Sequence, residues 1–231
     1  MIDIKGKWAL VTGASRGVGQ RVAVALAEKG AKLILHSRDI AGTKPVVKQI
    51  SESGGTALAV AAELSDTVAV DRLIAQVRSL CGNDLSILYN NAAIGGPSRE
   101  IYAHTYDDYA SRLLVNAIVP IKLCDAFLPG MLERDFGRIV NVSSGVADQP
   151  NIMPYSVSKA ALDRYVRDMI PTLAGTNVLM NLLDPGWLRT DMGGPNAPND
   201  PDTVLPGALV PVLLEKDAGS GTFYRAQEYR G

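Results

Sequence analysis

The segment WALVTGASRGVG, residues 8–19, joins a short apolar run to three closely spaced glycines. The apolar residues predict a strand over Trp8–Thr12, and the residues from Gly17 to Lys29 predict a helix. A glycine turn between a strand and a helix lets the backbone approach a pyrophosphate, whose charge suits the helix N-terminus. Ordinary tight turns also use glycines, so a plain turn stays open as an alternative. The position of these glycines favours a dinucleotide-binding loop.

Apolar strands and helical stretches alternate along the rest of the chain, which is typical of a parallel sheet covered by helices on both faces. Further strands are predicted at Lys32–His36, Ala57–Val60, Leu85–Tyr89, Arg138–Val142, Val178–Leu183 and, more weakly, Gly221–Tyr224. Further helices are predicted around Thr43–Ser53, from Ser65 or Asp66 to about Leu80, over roughly Tyr106 to Phe127, and over Tyr155–Ile170. The predicted fold class is α/β, a three-layer doubly wound (Rossmann) parallel sheet of about seven strands.

One long segment lacks the pattern of a helix or a strand. Residues 193–206 read GGPNAPNDPDTVLP, and the four prolines prevent regular structure. A loop of this length inside a compact domain is usually functional, so we expect a substrate lid around residues 191–210. No linker or repeat interrupts the rest, and residues 1–231 are predicted to form a single domain.

Composition argues against several classes of function. The net charge is −1, so no electric field favours nucleic acid or membrane lipid. The apolar runs are too short to span a bilayer, and the first strand begins too early to leave room for a signal peptide, so a cytoplasmic location is expected. Cys81 and Cys124 are predicted to be buried free thiols, His36 and His104 to be structural or surface residues, and no metal site is predicted.

Residues with acid–base chemistry cluster in the second half of the chain. Tyr155 and Lys159 lie four residues apart on a predicted helix, so their side chains share one face. A lysine ammonium ~4 Å from a phenol contributes about 4 kcal/mol at an effective dielectric constant of ~20, enough to lower the pKa of the phenol by ~3. The phenol could then protonate an alkoxide near neutral pH. Ser143 and Ser144 end the preceding strand, and because neighbouring strand residues face opposite ways, only one can serve the same site.

Taken together, these segments resemble the short-chain dehydrogenase/reductase superfamily. The glycine loop matches TGxxxGxG, the strand before the Tyr–Lys helix carries a VSS motif, and Tyr155 and Lys159 match YxxxK. The resemblance implies that Ser144 holds the substrate oxygen, although the connection from Ser144 to Tyr155 is shorter than the usual pattern, which keeps Ser143 open. It also implies that Asn116 holds a water molecule in contact with Lys159.

The same resemblance implies a nicotinamide cofactor and the residues that bind it. The predicted cofactor-binding residues are Gly13, Ser15, Arg16, Gly17, Val18, Gly19, Ser37, Arg38, Glu63, Leu64, Asn91, Tyr155, Lys159, Leu188 and Thr190. This chain departs from the family pattern at Ala93, where the motif NNAG has its glycine, and at Glu63, where aspartate is usual.

The end of the second predicted strand indicates which dinucleotide binds. Enzymes that select NAD place an acidic residue there, roughly 20 residues beyond the glycines. This chain instead has Ser37 and Arg38, and Arg16 in the glycine loop supplies a second cation suited to a 2′-phosphate. Asp39 lies beyond the usual acidic position and could pair with an arginine. The predicted cofactor is therefore NADPH/NADP+.

The predicted activity is NADPH-dependent reduction of a ketone or aldehyde to an alcohol, with Tyr155 as the proton donor. Trp187, Met192 and Met153 suggest that the small-molecule carbonyl substrate has an apolar or aromatic body. Two alternatives stay open: an NADP-dependent alcohol dehydrogenase working in the oxidative direction, and a non-catalytic dinucleotide-binding redox sensor or interaction protein. The family resemblance also implies association through two long helices as a homodimer or homotetramer.

Overall fold

A computed structural model describes residues 1–229 and forms one seven-stranded sheet in which every neighbouring pair of strands is parallel. The strands are β1 (Trp8–Val11), β2 (Lys32–Ser37), β3 (Thr56–Ala61), β4 (Leu85–Asn90), β5 (Gly137–Val142), β6 (Val178–Asp184) and β7 (Phe223–Arg225). Their spatial order is β3-β2-β1-β4-β5-β6-β7. The order reverses between β1 and β4, and a crevice that binds ligands forms at such a point.

Helices connect the strands and cover both faces of the sheet. They are α1 (Gly17–Glu28), α2 (Ile40–Glu52), α3 (Thr67–Cys81), α4 (Tyr106–Leu113), α5 (Val119–Glu133), α6 (Met153–Asp168) and the short α7 (Ile170–Leu173). Single 3₁₀ turns lie at Pro150–Ile152, Pro201–Val204, Gly207–Val212, Lys216–Ala218 and Ala226–Tyr229. The predicted α/β doubly wound fold is confirmed.

Apolar side chains form one core on each side of the sheet, since successive strand residues alternate between the two faces. Ala9, Leu33 and Val140 belong to the core under α1 and α2. Leu10 and Ile139 belong to the core under α3 and α5. All six residues of β4 and of β5 are buried, as expected for central strands with helices on both sides.

Two helix boundaries differ from the predictions. α2 begins at Ile40 because the Asp39 carboxylate accepts a hydrogen bond from Gly42 N (2.8 Å) and caps the helix. Asp39 thus serves as a helix cap, and within the described part of the chain no arginine forms an ion pair with it. The helix predicted to end near Phe127 continues to Glu133 and includes Pro129.

The segment predicted as a lid divides into two parts. Asp191 and Asp200 lie in its outer part, and Asp200 pairs with Arg189, which precedes the segment (3.2 Å). From Val204 onward the chain enters the core: Val204 and Ala208 are fully buried. The C-terminal half of the predicted lid is thus part of the core, because its apolar residues pack in the same cluster as Ala9 and Val140 on one face of the sheet.

Cys81 and Cys124 are free and buried, as predicted. Among residues 1–229 no group of three His, Cys, Asp or Glu side chains could hold a metal ion. The continuous helical segment Tyr106–Glu133 is long and apolar enough to cross a bilayer by length and composition, but its apolar residues contribute to the core.

Candidate active site at the carboxyl edge of the sheet

The glycine loop after β1 has a backbone that only glycine suits. Gly13 has φ +65°, in the left-handed region. A Cβ on Gly19 would lie 2.6 Å from Asn91 Nδ2 and closer still to the Gly13 carbonyl oxygen. The first turn of α1 therefore packs directly on the loop, and its N-terminus faces the crevice with its free N–H groups. This cradle suits the pyrophosphate of a dinucleotide.

Side chains from β2 and from the end of β4, the strands on either side of β1, hold the loop in place. The Gly13 N–H donates to His36 Nδ1 (3.3 Å), and His36 Nε2 lies 3.0 Å from the Ala62 carbonyl. Burial lowers the pKa of His36, which keeps the ring neutral and leaves Nδ1 able to accept. Asn91 Nδ2 donates to the carbonyls of Thr12 (2.9 Å) and Gly13 (3.1 Å). His36 is structural, as predicted, and Asn91 supports the loop from beneath.

The predicted 2′-phosphate residues lie around the end of β2. Arg38 is exposed, and its charge contributes to lowering the pKa of Glu63, although the hydrogen bond from Ser65 N–H to that carboxylate is the larger cause. Ser37 is buried and donates to the Asp39 carbonyl (2.5 Å). Arg16 forms an exposed ion pair with Asp191 (3.0 Å) of the lid. An exposed arginine beside the cradle fits a phosphate ligand.

The remaining predicted cofactor residues line the same edge of the sheet. Leu64 is buried just beyond β3 and Leu188 is buried just beyond β6. Thr190 lies against the glycine loop, since its methyl group is 3.6 Å from the position a Cβ on Gly17 would take. Its hydroxyl accepts from Gly193 N (3.2 Å), which orders the start of the lid.

Tyr155 and Lys159 lie one helical turn apart on α6 and face the end of β5. Lys159 Nζ is 5.7 Å from the centre of the Tyr155 ring and donates to the Val142 carbonyl (2.7 Å). The Ser144 side chain lies close enough to the Tyr155 hydroxyl to act on the pKa of the phenol, so the two hydroxyl groups lie near each other beside the ammonium. The structure thus brings together the three predicted groups.

The structure distinguishes between the two serines. Ser143 is buried and its hydroxyl donates to Asp163 Oδ1 on α6 (2.5 Å), away from Tyr155. Ser144, two residues beyond the end of β5, is partly exposed, and its hydroxyl accepts from Val146 N (3.2 Å). The geometry favours Ser144 as the serine that faces a substrate.

The predicted acidification of Tyr155 was wrong for this structure. Burial raises the pKa of the Tyr155 phenol, the Ser144 hydrogen bond opposes that shift, and the charge of Asp184 adds to it. Lys159 sits beside the ring and gives its hydrogen bond to Val142 rather than to the phenol, and burial lowers the pKa of the lysine to about 8. At neutral pH the phenol therefore keeps its proton, which is the form that a proton donor requires.

Asn116 lies in a π-helical segment, Leu114–Ile118, that joins α4 to α5. Pro120 has no N–H to give to the Asn116 carbonyl four residues earlier, and this explains a departure from α-helical bonding at this point. The Asn116 amide exchanges two hydrogen bonds with Ile94 (2.8 and 2.9 Å) and donates to Ser158 (3.0 Å). Asn116 thus ties the loop after β4 to α6, while its predicted contact with a water molecule stays a prediction.

Asp184, for which no separate role was predicted, ends β6 beside these groups. Its Oδ1 accepts from Gly186 N (2.9 Å), and its Oδ2 lies 2.5 Å from where a Cβ on Gly145 would be. Gly145 is therefore required for the close approach of the β5 and β6 ends. The sequence did not show that the Asp184 carboxylate lies beside Gly145, because the two residues are far apart along the chain.

Comparison with known proteins is consistent with this geometry. The family model for short chain dehydrogenases matches residues 7–201, and the chain belongs to that family. It is 34% identical over 198 residues to a short chain dehydrogenase of Pseudocercospora fijiensis (84% of this chain, 63% of that one). It is 31% identical over 195 residues to the 3-oxoacyl-[acyl-carrier-protein] reductase FabG of Vibrio harveyi (83% of this chain, 77% of that one). The chain thus spans less than two thirds of the fungal relative.

A solved structure extends the comparison to the cofactor. The 3-oxoacyl (acyl-carrier-protein) reductase of Agrobacterium tumefaciens C58, crystallised with NADP bound, has a TM-score of 0.85 and 29% identity, covering 96% of this chain and 93% of that one. Short-chain dehydrogenases use nicotinamide cofactors, so the predicted class of cofactor and the oxidoreductase class are confirmed.

Proposed function

We propose that this chain is an NADPH-dependent reductase that converts a ketone or an aldehyde into an alcohol. The observation that carries the proposal is the placement of Tyr155 5.7 Å from the ammonium of buried Lys159 and next to Ser144, at the same sheet edge as the glycine cradle. Reductase names among the relatives, such as that of the Vibrio harveyi protein, support the reductive direction.

The reaction assigns each side chain one task. The bound cofactor supplies the hydride that reaches the carbonyl carbon. Ser144 and Tyr155 hold the carbonyl oxygen through their hydroxyl groups, and Tyr155 gives that oxygen its proton. Lys159, whose ammonium lies 5.7 Å from the centre of the ring, would supply positive charge for the phenolate left behind. Before the reaction the effect of burial is larger, so the phenol stays protonated. The glycine loop, Arg38, Leu188 and Thr190 would hold the cofactor.

The rim of the crevice favours an uncharged substrate with an apolar body. Trp187 is 59% exposed, Met192 52% and Ile94 37%. Met192 lies close to Gly95, next to Ile94, so the lid meets the loop after β4. A cluster of exposed apolar side chains beside a crevice is typical of a ligand-binding surface, whereas single exposed apolar residues are common everywhere. The ketone panel below should therefore begin with aryl and long-chain alkyl ketones.

A substrate panel tests the proposal directly. Purified protein with NADPH and a panel of ketones and aldehydes should lose the absorbance of the reduced nicotinamide, and each active substrate should yield its alcohol. Binding of NADPH without turnover of any carbonyl would favour the redox-sensor alternative. Turnover confined to alcohols with NADP+ would favour the oxidative alternative.

Removing Arg38 should weaken NADPH specifically. Arg38→Ala loses a charge-assisted hydrogen bond to the 2′-phosphate, worth about 1.5–3 kcal/mol, so the Kd for NADPH should rise ~10–100-fold while the Kd for NADH stays unchanged. Titration calorimetry with both cofactors measures the difference. Arg164→Ala removes an exposed arginine that pairs with Asp168 on α6 and serves as the control. Equal weakening of both cofactors would contradict a role in phosphate selection.

The rate of reduction should depend on the charge of Lys159. The pKa of this lysine is lowered to about 8, so the ammonium loses its proton as the pH rises through that value. Tyr155 keeps its proton over the same range because burial raises its pKa. We therefore expect kcat/KM for reduction to be constant from about pH 6 to 7 and to fall above about 8. A profile that stays flat to about pH 10 would separate the lysine charge from the reaction.

Self-association stays a prediction. Ile118 and Val157 are exposed apolar residues near the junction of α4 with α5 and on α6, the two helical regions expected to mediate a homodimer or homotetramer. Sedimentation of the purified protein would establish its assembly state.

A further inference from the structure

Three functional side chains lie at four-residue intervals along one face of α6. Tyr155 and Lys159 are followed by Asp163, which the sequence analysis left without a role. The Asp163 carboxylate accepts the hydroxyl of Ser143 (2.5 Å), the last residue before Ser144. One acidic residue thus contacts the strand end that carries the substrate-facing serine.

Asp163 also lies one helical turn beyond Lys159, a buried cation. Lys159 is 3% exposed, and within residues 1–229 its ammonium donates to the uncharged Val142 carbonyl and forms no ion pair within 4.0 Å. A buried ammonium without a counter-charge gives up its proton, since burial disfavours the charged form. The charge of Asp163 opposes that effect on Lys159. Burial raises the pKa of Asp163 itself, and the hydrogen bond from Ser143 and the charges of Arg167 and Lys159 oppose that rise.

Among the groups around Lys159, Asp163 is the one that can stabilise its ammonium by a negative charge. From α6 the groups facing the pair are Tyr155 and Arg167, and from β5 the end residue Ser143 faces Asp163. Asp184 of β6 acts on Tyr155 rather than on Lys159. Of these groups, Asp163 alone carries a negative charge that acts on the lysine.

We propose that Asp163 is a positioning residue with two linked effects: its charge keeps Lys159 protonated, and its hydrogen bond turns Ser143 away so that Ser144 faces Tyr155. The catalytic consequence rests on the proposed reductase function. The effect on the lysine does not, because it is a property of the folded chain.

The charge is tested by Asp163→Asn, which keeps the size of the side chain and an oxygen that accepts from Ser143. The fall in kcat/KM above about pH 8 should move to lower pH, giving a severalfold loss at about pH 8 and little loss at about pH 6. Asp163→Glu restores the charge and should recover most of the activity at about pH 8. A loss of equal size at every pH, with no recovery in the glutamate variant, would overturn the proposal.

Asp168→Asn is the matched control, since Asp168 ends the same helix in an exposed pair with Arg164. Its pH profile should match that of the unmodified chain. A shift as large as that of Asp163→Asn would mean that any negative charge on α6 has the same effect, and this would also overturn the proposal.

An activity-independent measurement separates this proposal from the proposed function. In protein labelled with ¹³C at the lysine ε-carbons, the Lys159 signal is identified by its loss in Lys159→Arg, and its titration should move to lower pH in Asp163→Asn. A shift in a protein that reduces no carbonyl would refute the reductase and support Asp163. An unchanged titration would refute Asp163 whatever the activity. Should Asp163→Asn fail to fold, Asp163→Ser takes its place, and failure of both to fold would assign Asp163 to folding and refute the proposal.

Discussion

Tyr155→Phe should abolish carbonyl reduction while leaving NADPH binding intact. The variant removes the hydroxyl that lies near Ser144 and would supply the proton, and it keeps the ring that packs beside Lys159. General acid catalysis contributes about 10²–10⁴-fold to a rate, so kcat should fall by that factor. The glycine cradle lies on other elements, and the Kd for NADPH should change by less than about twofold.

The comparison needs a tyrosine whose loss has no chemical consequence. Tyr165 lies on the same helix, and its hydroxyl reaches Asp125 (3.4 Å) on α5 rather than the crevice. Tyr165→Phe should retain normal turnover. Stopped-flow reduction with saturating NADPH measures the chemical step in both variants. If Tyr155→Phe kept more than about a tenth of the normal rate, another group would be the proton donor.

Local patterns were sufficient to predict most of the fold and the composition of the site. The strands alternate or run apolar, the glycine turn stands between a strand and a helix, and the four-residue spacing of Tyr155 and Lys159 fixes a shared face. Each of these signals lies within a few residues, so tertiary structure was not needed to interpret it.

The errors arose where an outcome depends on residues distant in sequence. Ser143 and Ser144 could not be distinguished until the contact with Asp163, twenty residues later, was known. The pKa of Tyr155 depends on its burial and on Asp184, which a spacing argument cannot supply. The π segment around Asn116 did have a local signal, since Pro120 removes the α-helical partner of the Asn116 carbonyl.

Gly19→Ala should abolish NADPH binding without unfolding the protein. Gly19 lies inside α1, where alanine is favoured over glycine by about 1 kcal/mol. The new methyl group would nevertheless overlap the Gly13 carbonyl and approach Asn91 Nδ2 to 2.6 Å. Overpacking of this kind costs about 1–3 kcal/mol, so the loop must move and the fold loses only a few kcal/mol.

Movement of this loop is expected to cost far more in binding than in stability. The loop N–H groups that would hold the pyrophosphate form charge-assisted hydrogen bonds worth about 1.5–3 kcal/mol each. Loss of two such bonds raises the Kd for NADPH by ~10²–10⁴-fold. Fluorescence titration measures the Kd, and thermal denaturation should show a Tm lowered by only a few degrees.

Gly130→Ala provides the matched control, because Gly130 also lies inside a helix, α5, and gains the same helix preference. A Cβ there would lie 3.1 Å from Arg134 Nη1, so the Arg134 side chain, which donates to the Leu85 carbonyl (2.8 Å), must shift slightly. Gly130→Ala should bind NADPH normally, with a free energy of unfolding within about 1 kcal/mol of that of the unmodified chain. A methyl group on Gly19 cannot fit without displacing the Gly13 backbone. Normal NADPH binding by Gly19→Ala would therefore mean that the contact between α1 and the glycine loop does not form the phosphate site.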